Sequence, residues 1–186
     1  MSQTETIDAE ATVVEPAAPE QVLVSDVVRS DRLLLATDKV KNHVIAASGV
    51  SLVPVPLVDL VALLGIQVDM AHSLCKVYDV PFKEKLVRSL LTSLVSGAGA
   101  VLAMSGLASL AKAVPVLGSV SGAAALSATS SAVTYATGKV LINHFEGGGT
   151  LDNFDPVKFK ELFKAKVKEG AEVVKSFTGQ ATTAAA

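Results

Sequence analysis

Residues 89–111 read SLLTSLVSGAGAVLAMSGLASLA, and residues 113–138 read AVPVLGSVSGAAALSATSSAVTYATG. Neither stretch contains Asp, Glu, Lys or Arg, and only Lys112 separates them. As a helix, either stretch would be long enough to cross a hydrocarbon core of roughly 30 Å, at about 1.5 Å of rise per residue. A helix on the surface of a soluble domain has a wet face, which normally carries charge. The two stretches therefore predict either contact with a membrane or unusually close helix packing.

The composition limits the classes of protein to which the chain can belong. Its 186 residues suffice for one core with tails. There is no Trp and there are only two Tyr and six Phe, so tight packing must come from small residues. The net charge of -2 offers no basic excess for a phosphate backbone, which argues against nucleic acid as a partner. The single cysteine, Cys75, excludes an internal disulfide, as is typical of a reducing cytoplasm.

Helix breakers and periodic apolar residues divide the chain into five predicted helices. The first two cover residues 30–48 and 57–78. The third begins near residue 82 and continues into the first uncharged stretch, and the last two cover residues 119–145 and 157 to about 177. Ser30 is a plausible N-cap of the first, and Asp79 is a candidate N-cap of the third. The Asp155-Pro156 pair predicts the start of the last helix. No alternation of strand period is strong, so we expect an all-α fold.

The predicted organisation is a single helical domain between two tails. Residues 1–21 form an acidic tail whose composition is typical of disorder. The domain covers residues 22–178 and contains an uncharged hairpin at 89–138 and a basic amphipathic helix at 156–178. Residues 179–186 are expected to fray. We therefore predict a helical bundle with a central, small-residue-rich hairpin that associates with a membrane.

Small residues at helix-packing spacing support the hairpin. They are Ser93 and Gly97, Gly99 and Ala103, and Gly118 and Gly122. The hydroxyl groups of the second stretch are expected to bond locally or across to the first. The alternative is a soluble bundle with a tightly packed centre, closed by homo-oligomerisation. Lysines and arginines before the hairpin, with Lys139 after it, would keep both ends cytoplasmic if the hairpin inserts.

The lysine-rich last helix has two interpretations. A basic amphipathic helix can lie among anionic lipid headgroups. It can equally be an ordinary surface helix, whose charge is partly offset by Glu161, Glu169 and Glu172.

The sequence contains no clear constellation for catalysis, for a metal or for a cofactor. His43, His72 and His144 stand apart from one another, and none has the ligand spacing of a zinc site. The phosphate-binding loop GxxxxGK[ST] is absent, because Val140 follows Gly138-Lys139. We therefore predict no catalytic residue, no metal and no cofactor, and a protein that is not an enzyme.

Three polar residues interrupt the second predicted helix: Asp59, Gln67 and Asp69. If buried, they would need partners or would cost a few kcal/mol. They would then form a polar contact for the hairpin or another subunit. Alternatively, Asp59 caps the start of the helix and Asp69 is solvated.

Two motifs resemble a known family. Residues 54–70 read PVPLVDLVALLGIQVDM and residues 144–151 read HFEGGGTL. Together they resemble the signature of a bacterial family of unknown function that includes YcjF-like proteins, whose domain also occurs fused to or encoded beside Era-like GTPases. The resemblance covers roughly residues 35–165. Its motif residues, which are candidates for interaction, are Pro54, Pro56, Asp59, Gln67, Met70, His144, Phe145, Glu146, Gly148 and Gly149.

The resemblance implies a helical, membrane-associated module that works with a GTPase, and it implies no catalytic residue. We therefore expect an anchor, scaffold or adaptor at the bacterial cytoplasmic (inner) membrane, with both termini in the cytoplasm. The alternative is a soluble, self-assembling cytoplasmic protein whose uncharged helices pack between subunits.

Overall fold

The computed structural model describes residues 19–50, 58–104 and 120–184, and it describes side-chain surroundings over 25–49, 61–96 and 127–174. Within these ranges there are five α-helices, one short 3-10 turn and no strand, which confirms the all-α prediction. The elements are α1 (Pro19–Val50), α2 (Val58–Val77), α3 (Glu84–Met104), α4 (Val120–Glu146), the 3-10 turn (Leu151–Asn153) and α5 (Lys160–Ala184).

Helix α4 is the centre of the bundle, because it packs against α1, α2 and α5. Helix α3 closes one side by contacting α2, α5 and the 3-10 turn. The fully buried large side chains come from all five helices and the turn: Val40, Met70, Leu74, Val87, Val140, Leu151, Phe163 and Val167. This distribution means that the bundle has one continuous core.

Two glycines mark where helices approach most closely. A Cβ at Gly138 of α4 would overlap both methyl carbons of Val40 on α1 and would crowd the sulfur of Met70 on α2. A Cβ at Gly170 of α5 would lie 3.0 Å from the carbonyl oxygen of Ala132 on α4. Both contacts agree with the expectation that small residues provide the tight packing.

The predicted beginning of the first helix at Ser30 is wrong, because α1 begins at Pro19. Proline suits the first position of a helix, where the missing amide would have had no partner. The Ser30 hydroxyl donates to the carbonyl oxygen of Asp26 at 2.8 Å, so it bonds back within the helix rather than capping it.

The predicted role of Asp79 as an N-cap is also wrong. Asp79 has a φ of 53° and follows the last turn of α2, while α3 begins only at Glu84. The amide of Val80 donates to the carbonyl oxygen of Cys75 at 2.9 Å, as in a helix that ends on a left-handed residue. Aspartate tolerates this conformation better than most residues do.

Helix α5 begins later than predicted. Asp155 accepts a hydrogen bond from the amide of Val157 at 3.0 Å, which closes a turn, but the helix itself starts at Lys160. It continues to Ala184, past the start of the tail predicted at residue 179.

Candidate functional site

The bundle has one end rich in charge, which begins at the glycine turn after α4. The amides of Gly148 and Gly149 donate to the carbonyl oxygens of Phe145 and His144, both at 2.9 Å, and Gly148 has a φ of 76°. This pattern ends a helix on a left-handed glycine. A Cβ at Gly149 would overlap the His144 ring, so this position also needs glycine for space.

His144 holds the chain that follows the turn. Its Nε2 atom lies 2.8 Å from the carbonyl oxygen of Thr150 and 3.0 Å from Oδ1 of Asn153, and both of these atoms accept. The ring also packs edge-on against Phe154 and Phe159. His144 therefore stabilises the connection between α4 and α5.

Glu146 joins α1 and α2 to the end of α4. The Tyr78 hydroxyl donates to one carboxylate oxygen at 2.7 Å, and Nε of Arg29 donates to the other at 2.8 Å. Burial alone would raise the pKa of Glu146, but these hydrogen bonds and the positive charges of Arg29 and Arg32 outweigh it and lower the pKa. Glu146 is thus held as a carboxylate between three helices.

Further ion pairs surround this end of the bundle. Lys83 donates to Asp152 at 2.6 Å, and Arg88 donates to Glu84 at 2.9 Å. We call this end, defined by Arg29, Arg32, Lys83, Glu146 and Asp152, the charged end.

A line of hydroxyl groups joins α1 to α4. The Ser48 and Ser131 hydroxyls lie 2.6 Å apart, and the Ser127 hydroxyl donates to the carbonyl oxygen of Ser48 at 2.9 Å. Further along, the Thr137 hydroxyl donates to Oε1 of Gln67 on α2 at 3.4 Å. Within the described residues, the hydroxyl groups of the second uncharged stretch thus contact α1 and α2. Those of Thr134 and Thr137 also donate to carbonyl oxygens four residues earlier, which confirms the predicted local bonding.

The same pairs fix the direction of the helices. Ser48, near the end of α1, lies beside Ser127, whereas Arg29 lies beside Glu146. Helix α1 is therefore antiparallel to α4, and α2 is parallel to α4, because Gln67 meets Thr137 while Tyr78 meets Glu146. Helix α5 runs back along α4, from Phe159 beside His144 to Gly170 beside Ala132.

The helix ends that border the uncharged segments of the chain lie at the opposite end of the bundle. Helix α1 ends there at Val50, α2 begins there at Val58, and α4 begins there at Val120. Helix α3 starts at the charged end, beside the Lys83–Asp152 pair, and runs towards this opposite end. Residues 42–58 contain no Asp, Glu, Lys or Arg, and residues 89–126 contain only Lys112. We call this the uncharged end.

The motif residues predicted for interaction fall into three groups. Pro54 and Pro56 lie outside the described residues, and Asp59 lies in the first turn of α2. The side chains of Gln67, Met70 and Phe145 are buried in the core. The described residues of the second motif lie at the charged end, where they terminate α4; a role in interaction stays a prediction.

The predicted packing residues are only partly described. Ser93 lies on α3 with its side chain exposed, and Gly118 lies outside the described residues. Gly97, Gly99 and Ala103 belong to α3, and Gly122 belongs to α4, but the structure describes only their backbone. Sequence reasoning missed Gly138 and Gly170, because their neighbours come from distant parts of the chain.

Helix α5 packs its apolar face against the rest of the bundle. Phe163, Val167 and Val174 are buried, while Lys168 and, just before the helix, Lys158 are exposed. Lys164 and Lys166 pair with Glu161 and Glu169 on the same helix. Over the residues described, α5 has the features of the ordinary surface helix that was one of its two interpretations.

The side chains that could bind a metal ion or take part in catalysis lie apart from one another. Across the described parts of the chain, no three His, Cys, Asp or Glu residues are placed to share a metal ion. His43 Nε2 lies 3.0 Å from Oδ2 of Asp69, whose side chain is otherwise exposed. This exposure agrees with the interpretation in which Asp69 is solvated. Cys75 is buried in the core, and its burial raises the pKa of the thiol to about 11.

A groove of about 340 Å³ lies between α1 and α2. Its lining residues are Asn42, His43, Ala46, Gly65, Ile66 and Asp69. Among the helices described, none combines the length and the apolarity needed to cross a membrane.

Comparison with known proteins identifies relatives. The model of a family described as a domain of unknown function, DUF697, matches residues 21–172. Magnetosome membrane protein 22 of Magnetospirillum gryphiswaldense is 36% identical over 142 residues, which cover 75% of this chain and 72% of that protein. No solved structure matches.

Proposed function

The chain belongs to the DUF697 family of domains of unknown function, and from this premise we propose that it is a non-enzymatic, membrane-associated helical protein. Its uncharged end contacts lipid, and its charged end holds a protein partner away from the membrane surface. The name of the relative, magnetosome membrane protein 22, supports the membrane contact.

The observation that carries this proposal is the division of the bundle into two unlike ends. Charged side chains are expensive to bring into hydrocarbon, at about 2.5–3.5 kcal/mol each near the centre of a membrane helix. Residues 42–58 and 89–126, which together carry a single charged residue, both lead to one end. That end can therefore approach lipid without burying several charges, unlike the charged end.

The length of chain left for lipid supports a shallow contact. Ser127–Gly138 contributes to the bundle core, and Ser89–Ser96 packs against it through Leu91 and Leu94. This leaves residues 97–111 and 113–126 for the membrane. As helices, they would span at most about 22 Å, less than the roughly 30 Å of a hydrocarbon core. We propose that they enter one leaflet and return to the same side.

The basic residues near the bundle support a cytoplasmic position for it. Lys76, Lys83, Lys85 and Arg88 precede the uncharged stretches, and Lys139 follows them. Short segments rich in Lys and Arg stay on the cytoplasmic side of the inner membrane. Both termini are then cytoplasmic.

A GTPase is the proposed partner at the charged end. The resemblance to YcjF-like proteins, whose domain occurs fused to or beside Era-like GTPases, supports this choice. Arg29 is 62% exposed although it is bonded to Glu146, so its charge is available to a second protein. The protein then acts as an anchor or scaffold for that GTPase.

Vesicle flotation of the purified full chain tests the membrane contact. We expect Ala100→Arg to reduce flotation, because it places a charge in the segment proposed to enter lipid. Thr92→Arg, on the exposed face of the same helix two turns earlier, is the matched control and should float like the parent chain. Equal flotation of both variants would count against insertion, and a soluble oligomer that does not float would favour the self-assembling alternative.

A pull-down from detergent-solubilised membranes, probed with labelled GTP, tests the partner. Arg29→Glu should lose the GTP-binding protein while it keeps flotation. Lys168→Glu reverses an exposed charge on α5 and should retain it. If neither the parent chain nor the control retains GTP-binding activity, the GTPase partner is wrong.

A further inference from the structure

Two large aliphatic side chains lie exposed near the uncharged end, on neighbouring helices. Ile45 of α1 is 68% exposed and Val61 of α2 is 72% exposed. Ile45 precedes the last residue of α1 by five positions, and Val61 follows the first residue of α2 by three. Because the two helices are antiparallel and His43 lies beside Asp69, Ile45 is level with Gln67, and Val61 lies about 9 Å nearer the uncharged end.

The surface between them is small, and it borders the exposed carboxylate of Asp69 at the far side of the groove. Ala46 and Gly65 line the adjoining groove, and a Cβ at Gly65 would meet no atom within 4 Å. No Asp, Glu, Lys or Arg lies between Lys41 and Asp59, or between Asp59 and Asp69. We call the surface of Ile45, Ala46, Val61 and Gly65 the α1–α2 rim.

Exposed aliphatic residues elsewhere on α1 have a different setting. Val27, Val28, Leu34 and Leu35 are also exposed, but Asp26, Arg29, Asp31, Arg32 and Asp38 are interspersed with them. They lie towards the charged end, since Arg29 contacts Glu146. Transfer from water to hydrocarbon would therefore cost much less free energy for the rim than for this part of α1.

We propose that the α1–α2 rim is a second lipid-contacting surface, which enters the membrane interface beside the uncharged stretches. This inference rests on the proposed function, because it takes the uncharged end to face the bilayer. Two separate contacts would hold the bundle upright, whereas a single hairpin would leave it free to tilt. The rim residues gain by leaving water, as any exposed aliphatic side chain does.

Because the chain contains no Trp, single tryptophan variants report on one position each. The variants are Ile45→Trp and Val61→Trp, with Leu34→Trp as the matched control. Leu34 is 65% exposed on the same helix and lies about 16 Å from Ile45 along the axis. Each full-length variant is mixed with vesicles of phosphatidylcholine and phosphatidylglycerol in equal amounts, with and without brominated acyl chains.

We expect the emission of both rim variants to shift to shorter wavelength with vesicles and to lose intensity with brominated lipid. The Leu34→Trp control should do neither. A second measurement uses Val61→Asp, which should weaken vesicle binding by roughly tenfold or more, because it replaces a favourable apolar transfer with a charge that the anionic headgroups also repel. Circular dichroism of every variant checks that the bundle is folded.

Flotation of the same samples separates the two proposals. If the variants float but the rim tryptophans are not quenched, the rim inference is overturned and the proposed function stands. If the control is quenched as strongly as the rim variants, the bundle lies flat and the upright arrangement is wrong. If nothing floats, both proposals fail.

Discussion

Gly138 of α4 lies against Val40 of α1 so closely that no side-chain carbon fits between them. Met70 of α2 borders the same point, so three helices meet at a residue that contributes no side chain. Replacing a helical glycine with alanine normally stabilises a protein by about 0.5–1 kcal/mol. Here the added carbon must displace Val40, and overpacking costs about 1–3 kcal/mol.

We therefore expect Gly138→Ala to lower the free energy of unfolding by about 1–2 kcal/mol, measured by chemical denaturation. The matched control is Gly65→Ala on α2, where the new carbon meets open space. That variant should gain about 0.5–1 kcal/mol. A gain at both positions would mean that α1 and α4 are farther apart than described.

Asp79 has a left-handed backbone conformation, so replacing it with glycine should stabilise the folded chain. Glycine adopts a φ of 53° without the strain that a Cβ causes. We expect Asp79→Gly to raise the free energy of unfolding by about 0.5–1 kcal/mol and Asp79→Ala to lower it. Thermal denaturation followed by circular dichroism measures both, and the opposite order would contradict the helix ending described.

Glu146 should make the stability of the bundle depend on pH in the acidic range. Its pKa is lower in the folded chain than the ordinary value of 4.5, so its carboxylate stabilises the folded state above that value. This contribution is lost as the pH falls through the folded pKa. Denaturation midpoints measured from neutral to acid pH should fall accordingly.

The variant Glu146→Gln should cost about 1–3 kcal/mol at neutral pH, because hydrogen bonds to a charged group are lost. Its stability should also vary less with acid than that of the parent chain. Glu161→Gln is the control, since Glu161 is 80% exposed and pairs only with a lysine of its own helix. A parent-like acid profile for Glu146→Gln would refute the role of this carboxylate.

The hydroxyl line between α1 and α4 predicts an energetic coupling between Ser48 and Ser131. Each single change to alanine should cost about 0.5–1.5 kcal/mol. The double variant should cost less than the sum by about 0.5 kcal/mol or more, because the two changes remove the same bond. Thr92→Ala is the control, since its hydroxyl bonds only within α3. Strict additivity would show that the hydroxyls do not share a bond in solution.

The sequence predicted the ends of helices well where glycine or proline interrupts the helical pattern. The glycines after Glu146 end α4 within one residue of the prediction, because they favour a left-handed residue and cannot sustain a helix. Pro54 and Pro56 predicted a break between the first two helices, and α1 ends at Val50 while α2 begins at Val58. Asp79 and Ser30 were misread, since a short polar side chain can cap a helix, follow it or bond back within it.

The sequence could not assign the surroundings of the uncharged stretches. A protein core and a bilayer both exclude charge, so the absence of charge alone does not distinguish them. Residues 130–134 turned out to lie in the core, between α1 and α5. Spacing rules for small residues singled out Gly97 and Gly122, whose role in packing stays a prediction, but missed Gly138, whose neighbour Val40 lies almost one hundred positions away.

Cys75 gives the protein a reporter of opening that needs no engineering. Its sulfur is the single thiol of the chain, it is 1% exposed, and its raised pKa keeps it in the unreactive protonated form. A thiol reagent should therefore label the chain only when α2 separates from its neighbours. The rate of labelling in solution and on vesicles would show directly whether lipid slows the breathing of the helices.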